Sequence, residues 1–173
     1  MTAATGRYVR LQARYRGRLG VEVGIFVAVD HLRRAGRLSV EEEQLYFDID
    51  DWFNENLPNP PFYEDGNTVG AVTWFKRGEA TTTMLERLQP LQDLLDRHGV
   101  EYELAESEDP GLVIYQDEYQ VGVIPHRRRE PSPLPVGTVL GPTTAGSKRK
   151  FGKRAATDAS TTRGQDDVLF EPG

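Results

Sequence analysis

From Val9 to Arg16 the chain alternates, with Val9, Leu11, Ala13 and Tyr15 apolar and Arg10, Gln12, Arg14 and Arg16 polar. Period two puts those sets on opposite faces of an extended chain and predicts a half-buried strand with a basic outer face. Residues 17–24 predict a turn with room for a short strand return. The period then changes. Ile25, Ala28, Val29, Leu32 and Ala35 share one face at 100° per residue, which predicts a helix over 25–35, closed by Gly36.

Ser39 with Glu42 three residues on is a capping box, and Glu41, Glu42 and Glu43 suit the positive end of a helix dipole. The helix they open runs to about Leu57, with Leu45, Ile49, Trp52, Phe53 and Asn56 as its predicted inner stripe. Pro58, Pro60 and Pro61 end it. A loop of about a dozen residues follows, long enough to suggest function. Ala71–Lys76 reads as a buried strand. A third helix is expected over 81–98, with Met84, Leu88, Leu91 and Leu95 inside, a kink at Pro90 and a stop at Gly99. Val100–Leu104 reads as a strand, and Asp109-Pro110-Gly111 as a turn. Leu112–Tyr115 and Tyr119–Ile124 read as a hairpin.

The order β-α-α-β-α-β-β predicts an α+β fold: a small mixed sheet with about three helices packed on one face. The strands at Ala71 and Val100 are expected to run parallel, joined by a right-handed crossover. Beyond Pro125 the periodicity stops and prolines, glycines and threonines take over. The chain thus divides into one α+β domain, residues 1–125, and a disordered basic tail, residues 126–173, ending in a short linear segment.

Composition sharpens this division. The 173 residues include no cysteine, which excludes disulfides, thiolate zinc sites and thiol nucleophiles. The N-terminus has no apolar signal region. The longest apolar run, Ile25–Val29, is too short to span a bilayer, so a cytoplasmic protein without a membrane partner is expected. Residues 1–125 hold 12 basic and 22 acidic side chains, net −10; residues 126–173 hold 9 and 5, net +4. An acidic body repels a phosphate backbone, so attraction to nucleic acid would come from the tail or from Arg7, Arg10, Arg14, Arg16 and Arg18.

Candidate chemistry in the body is sparse. The acidic set Asp48, Asp50, Asp51 and Glu55 invites a metal reading, but Asp48, Asp51 and Glu55 share a helical face opposite Leu45, Ile49 and Phe53, which reads as a solvated face rather than a metal site. His98 suits a helix C-terminus, His126 lies at the tail junction and His31 flanks an apolar stripe, none at catalytic spacing. The glycines form no phosphate loop, which argues against a nucleotide cofactor. No catalytic residue, metal ligand or cofactor is assigned. Trp52 and Trp74 are expected inside. Phe62 and Tyr63 in the long loop either pin it to the body or, if exposed, form a partner-binding edge.

The tail carries two further candidates. Lys148, Arg149, Lys150, Phe151, Lys153 and Arg154 could track a nucleic-acid backbone while Phe151 stacks on a base. Gln165-Asp166-Asp167-Val168-Leu169-Phe170 resembles the Gln-x-x-Leu-x-Phe peptides that dock on bacterial sliding clamps, with Val168 departing from the pattern. Gln165, Leu169 and Phe170 are its candidate partner-binding residues. It also resembles the acidic, Phe-bearing tips of single-strand-binding proteins, although the chain continues past Phe170.

Within the body, the stretches GIFVAVDHLRRAGRLS, YFDIDDWFNENLPNPPFY, GAVTWFK and VIYQDEYQVGVIP resemble uncharacterised actinobacterial proteins, a likeness that implies no activity. The expected function is a non-catalytic binding or accessory protein that meets a protein partner, with the tail as a second contact. The alternatives are a nucleic-acid-associated factor, or a small enzyme with a site near Trp74, Lys76 and Asp117.

Overall fold

The structure, a computed structural model, describes residues 6–131. The alternating N-terminal segment forms strand β1, Tyr8–Arg16, and the return forms β2, Glu22–Gly24. Helix α1, Ile25–Arg34, follows with no intervening loop. Gly36, at φ 70°, ends it: the Gly36 and Arg37 amides donate to the carbonyls of Arg33 and Leu32, so the last turn satisfies its own acceptors. Helix α2, Val40–Asn56, opens on the capping box, with Ser39 Oγ accepting from the Glu42 amide and the Glu42 carboxylate accepting from the Ser39 amide.

The buried stripe of α2 differs from the predicted one. Tyr46, Asp50 and Phe53 are buried, Leu45, Ile49 and Trp52 flank them, and Asn56 is exposed. The helix is rotated toward α1, where Phe26 lies 6.4 Å from Tyr46 and 5.4 Å from Phe53, ring centre to ring centre. Trp52 sits half-buried beneath the Arg87 guanidinium, 4.3 Å from its ring centre.

The proline-rich loop contains one 3₁₀ turn, Pro61–Tyr63, and leads into β3, Val72–Lys76. The expected third helix is two. Helices α3, Glu79–Arg87, and α4, Gln89–Arg97, meet at Leu88. Pro90 lies in the first turn of α4, where its missing amide breaks no helical bond. Met84, Leu88, Leu91 and Leu95 are buried as expected. Strands β4, Tyr102–Ser107, β5, Leu112–Gln116, and β6, Gln120–Ile124, complete the fold.

The class is α+β, but the sheet is antiparallel throughout rather than mixed, in the order β2-β1-β3-β6-β5 with β4 on the other edge of β1. The expected parallel pair does not form. β3 and β4 run the same way, but both pair with β1, which lies between them. β1 is long enough to serve β4 on one edge while β2 and β3 share the other. The main core joins β1 to α1, α2, α3 and α4. A smaller cluster of Val72, Val121 and Val123, with Tyr8, Leu19, Val21 and Trp74, lies on the opposite face of the sheet.

Past Pro125 the chain stays in contact with the body. The Arg129 amide donates to the Gly20 carbonyl, Arg128 donates to the carbonyls of Leu19 and Gly70, and Arg16 donates to the Glu130 carbonyl. Among the described residues, no helix is long and apolar enough to cross a membrane.

Candidate functional site

Two strands cannot occupy one edge of a third without a gap where they part. β3 pairs with β1 at Tyr8 and Val9, and β2 pairs with it from Gln12 onward. Between those registers Arg10 and Leu11 have no ladder partner on that edge. A cavity of about 160 Å³ opens in this fork. Its walls are the β1–β2 turn, the first turn of α1, the end of α2, the proline-rich loop and β3. A water's share of liquid volume is roughly 30 Å³, so the space is about that of five waters.

The lining is mainly apolar, with Leu11, Val23, Ile25, Phe26, Phe53 and Trp74 among its members. The cations on it are Arg10 and Arg18 and the one carboxylate is Glu22. The fork is therefore net positive, set in a body whose first 125 residues are net −10.

Arg10 dominates the electrostatics. Its Nη1 donates to Gln12 Oε1 at 2.7 Å and to the Glu22 carbonyl at 2.8 Å. Gln12 is itself fixed, donating to Glu103 at 3.0 Å. Arg10 takes part in none of the ion pairs among the described residues. Burial pulls its pKa down, and Tyr63 and the Glu22 carboxylate offset that only at a distance. Nη2 points at the backbone where β2 becomes α1: a methyl group at Gly24 would stand 3.3 Å from it. Gly24 has an ordinary extended backbone, φ −71° and ψ 164°, so space rather than conformation calls for glycine there.

His31 lies on the cavity wall, and its Nδ1 is 2.8 Å from the Tyr15 hydroxyl. Burial, helped by Asp30, pushes the Tyr15 phenol well above its usual range, so Tyr15 stays neutral. Tyr63 lines the opposite side, its hydroxyl 3.4 Å from Thr73 Oγ1. Asn67 closes the loop, its side-chain amide exchanging hydrogen bonds of 2.9 and 2.8 Å with the backbone of Ala71. Gln120 ties the other end down by donating to the Pro58 carbonyl at 2.8 Å.

The residues singled out in the sequence are scattered. Phe62 is turned onto the body, its ring 6.4 Å from that of Tyr115 and over Gly122, where a Cβ would come within 2.5 Å of it. Tyr63 lines the cavity, whereas Phe62 does not. Trp74 lines the fork, whereas Lys76 and Asp117 do not. Asp117 shapes the β5–β6 turn, accepting from the amides of Tyr119 and Gln120 and from the Tyr115 hydroxyl. Of the arginines around β1, Arg14 pairs with Glu103 and Arg16 holds the Glu130 carbonyl, so the basic face is divided among separate partners. Lys148, Arg149, Lys150, Phe151, Lys153, Arg154, Gln165, Leu169 and Phe170 lie outside the described residues. No family model, curated protein or solved structure matches the chain.

Proposed function

We propose that the body is a non-catalytic binding module whose ligand is a small molecule held in the fork between β2 and β3. One observation carries this reading: the sheet parts around Arg10 and Leu11 and leaves a walled, mainly apolar cavity with a few converging polar groups, the usual build of a small-molecule site. The lining offers a single carboxylate, Glu22, with no second one to share acid–base work. The aromatic loop favours the same reading over a flat protein-binding edge, because Phe62 is committed to Gly122 and Tyr63 faces the fork. The tail acts as the second contact of the accessory protein, raising the local concentration of whatever it engages.

A fragment screen by thermal shift on the full chain tests this, with tryptophan emission as a second signal because Trp74 lines the cavity. Fragments are expected to raise Tm and perturb that emission. Val27→Phe, which fills the fork from the first turn of α1, is expected to abolish both responses while the far-ultraviolet circular dichroism stays unchanged. Undiminished binding to Val27→Phe would place the site elsewhere.

A further inference from the structure

Resting on that reading of the fork, we infer that its ligand is a small monocarboxylate with an apolar tail, gripped by the free side of the Arg10 guanidinium. A guanidinium binds a carboxylate through two parallel N–H groups, either the two terminal nitrogens or Nε with one of them. In Arg10 the first terminal nitrogen is spent on Gln12 and the Glu22 carbonyl. Those two bonds fix the plane of the guanidinium and leave Nε and Nη2 without an acceptor among the described residues. These two form a preoriented fork of the second kind.

Its surroundings select the rest of the ligand. Gly24 lets the guanidinium lie close to the β2–α1 junction, where a Cβ would stand 3.3 Å from Nη2 and crowd it. Glu22 is bonded to Arg10 only through its backbone carbonyl, and its carboxylate makes no ion pair with Arg10 among the described residues, so one positive charge in a partly buried setting lacks a contacting counter-charge. A single anionic group compensates it; a second would find no further cation beside Arg10 except Arg18, at the exposed turn. Beyond that head the lining is aliphatic and aromatic, suited to a short alkyl chain or one ring. Phosphate has the charge but not the tail, and a neutral isostere has the tail but not the charge.

Isothermal titration of the full chain with hexanoate and benzoate, beside hexanamide, benzamide and inorganic phosphate, tests the assignment. The carboxylates are expected to bind at least about tenfold tighter than the amides and than phosphate, the size of one charge-assisted contact. Arg10→Lys keeps the charge and removes the fork; it is expected to lower carboxylate affinity about tenfold and leave amide affinity unchanged. Gly24→Val, accepted by the extended backbone there, is expected to weaken carboxylates selectively, which gives a second route should Arg10 variants fold poorly. Equal binding of acids and amides, both lost in Val27→Phe, would overturn the carboxylate assignment and leave the fork as the ligand site. Phosphate binding as tightly as the acids would also overturn it. No binding by any probe would overturn it too, while fragment hits blocked by Val27→Phe would keep the broader reading.

Discussion

Arg10 and Arg33 are both partly buried, and they have opposite fates. Arg33, on α1, donates to Asp30 at 2.9 Å through Nε and at 2.8 Å through Nη2. Asp30 also binds Arg34, Glu43 lies 3.6 Å from Arg33, and the guanidinium rests over the Phe47 ring. Burial is the largest single influence and works against the Arg33 charge, but Asp30, Tyr46 and Glu43 together outweigh it and the pKa rises. Around Arg10 burial wins and the pKa falls. The first arrangement joins α1 to α2 and is complete. The second is half-bonded and faces a cavity. Charge compensation, more than burial, separates the structural cation from the one available to a ligand.

The largest way to break this contrast is Asp30→Ala. It strips Arg33 and Arg34 of a carboxylate whose side chain is only 5% exposed, and is expected to cost about 3 kcal/mol in urea unfolding. Replacing Arg33 by Met in the same chain should recover part of that loss, because no orphaned charge remains.

Glu42 gives an intermediate case. It closes the α2 cap and lies 3.2 Å from His98 Nε2 at the C-terminus of α4, so two helix ends of opposite polarity meet there. Its backbone bond to Ser39, then His98 and Arg97, outweigh desolvation and hold its pKa below the usual carboxylate value of 4.5. A depressed carboxylate stabilises the fold above the unfolded-state pKa, and that contribution is lost as pH falls through the folded value. Glu42→Ala is expected to cost about 1 kcal/mol at pH 7, with the difference from the parent shrinking below pH 4.5. A difference independent of pH would mean that the charge contributes nothing.

The smallest expected effect is the sharpest for the comparison. Arg10→Met removes two hydrogen bonds but also relieves an uncompensated charge, so unliganded stability should move by less than about 1 kcal/mol. A loss of about 3 kcal/mol would make Arg10 as structural as Arg33 and erase the distinction.

Features set by near neighbours in the chain were legible in the sequence. The Ser39–Glu42 box and the stop at Gly36 depend on atoms a few residues apart. The alternation of β1 likewise fixed which side chains face the helices. What sequence pattern misplaced depends on partners far along the chain. The α2 stripe turned because Phe26 sits between Tyr46 and Phe53. The parallel pair failed because β1 occupies the slot between β3 and β4. The fork was invisible for the same reason, since it exists only where β2 and β3 part. Arg10 read as one of five arginines, and no local signal marks it as the one that the fork encloses. A useful hint was present in Gly24, a glycine with no turn to make, standing directly before an amphipathic helix.

The central placement of β1 also governs how the molecule is born. The first strand made is completed on one edge by β4, with Gln12 bonded to Glu103 across 91 positions of sequence. Until that late segment emerges, a nine-residue amphipathic strand waits with an open edge. Closing so distant a pair carries a loop-entropy cost before any contact rewards it, so folding should be slow for a chain of this size and largely follow its synthesis. A polypeptide truncated before residue 102 would lack the partner of its own central strand and should accumulate as aggregate rather than as a smaller domain.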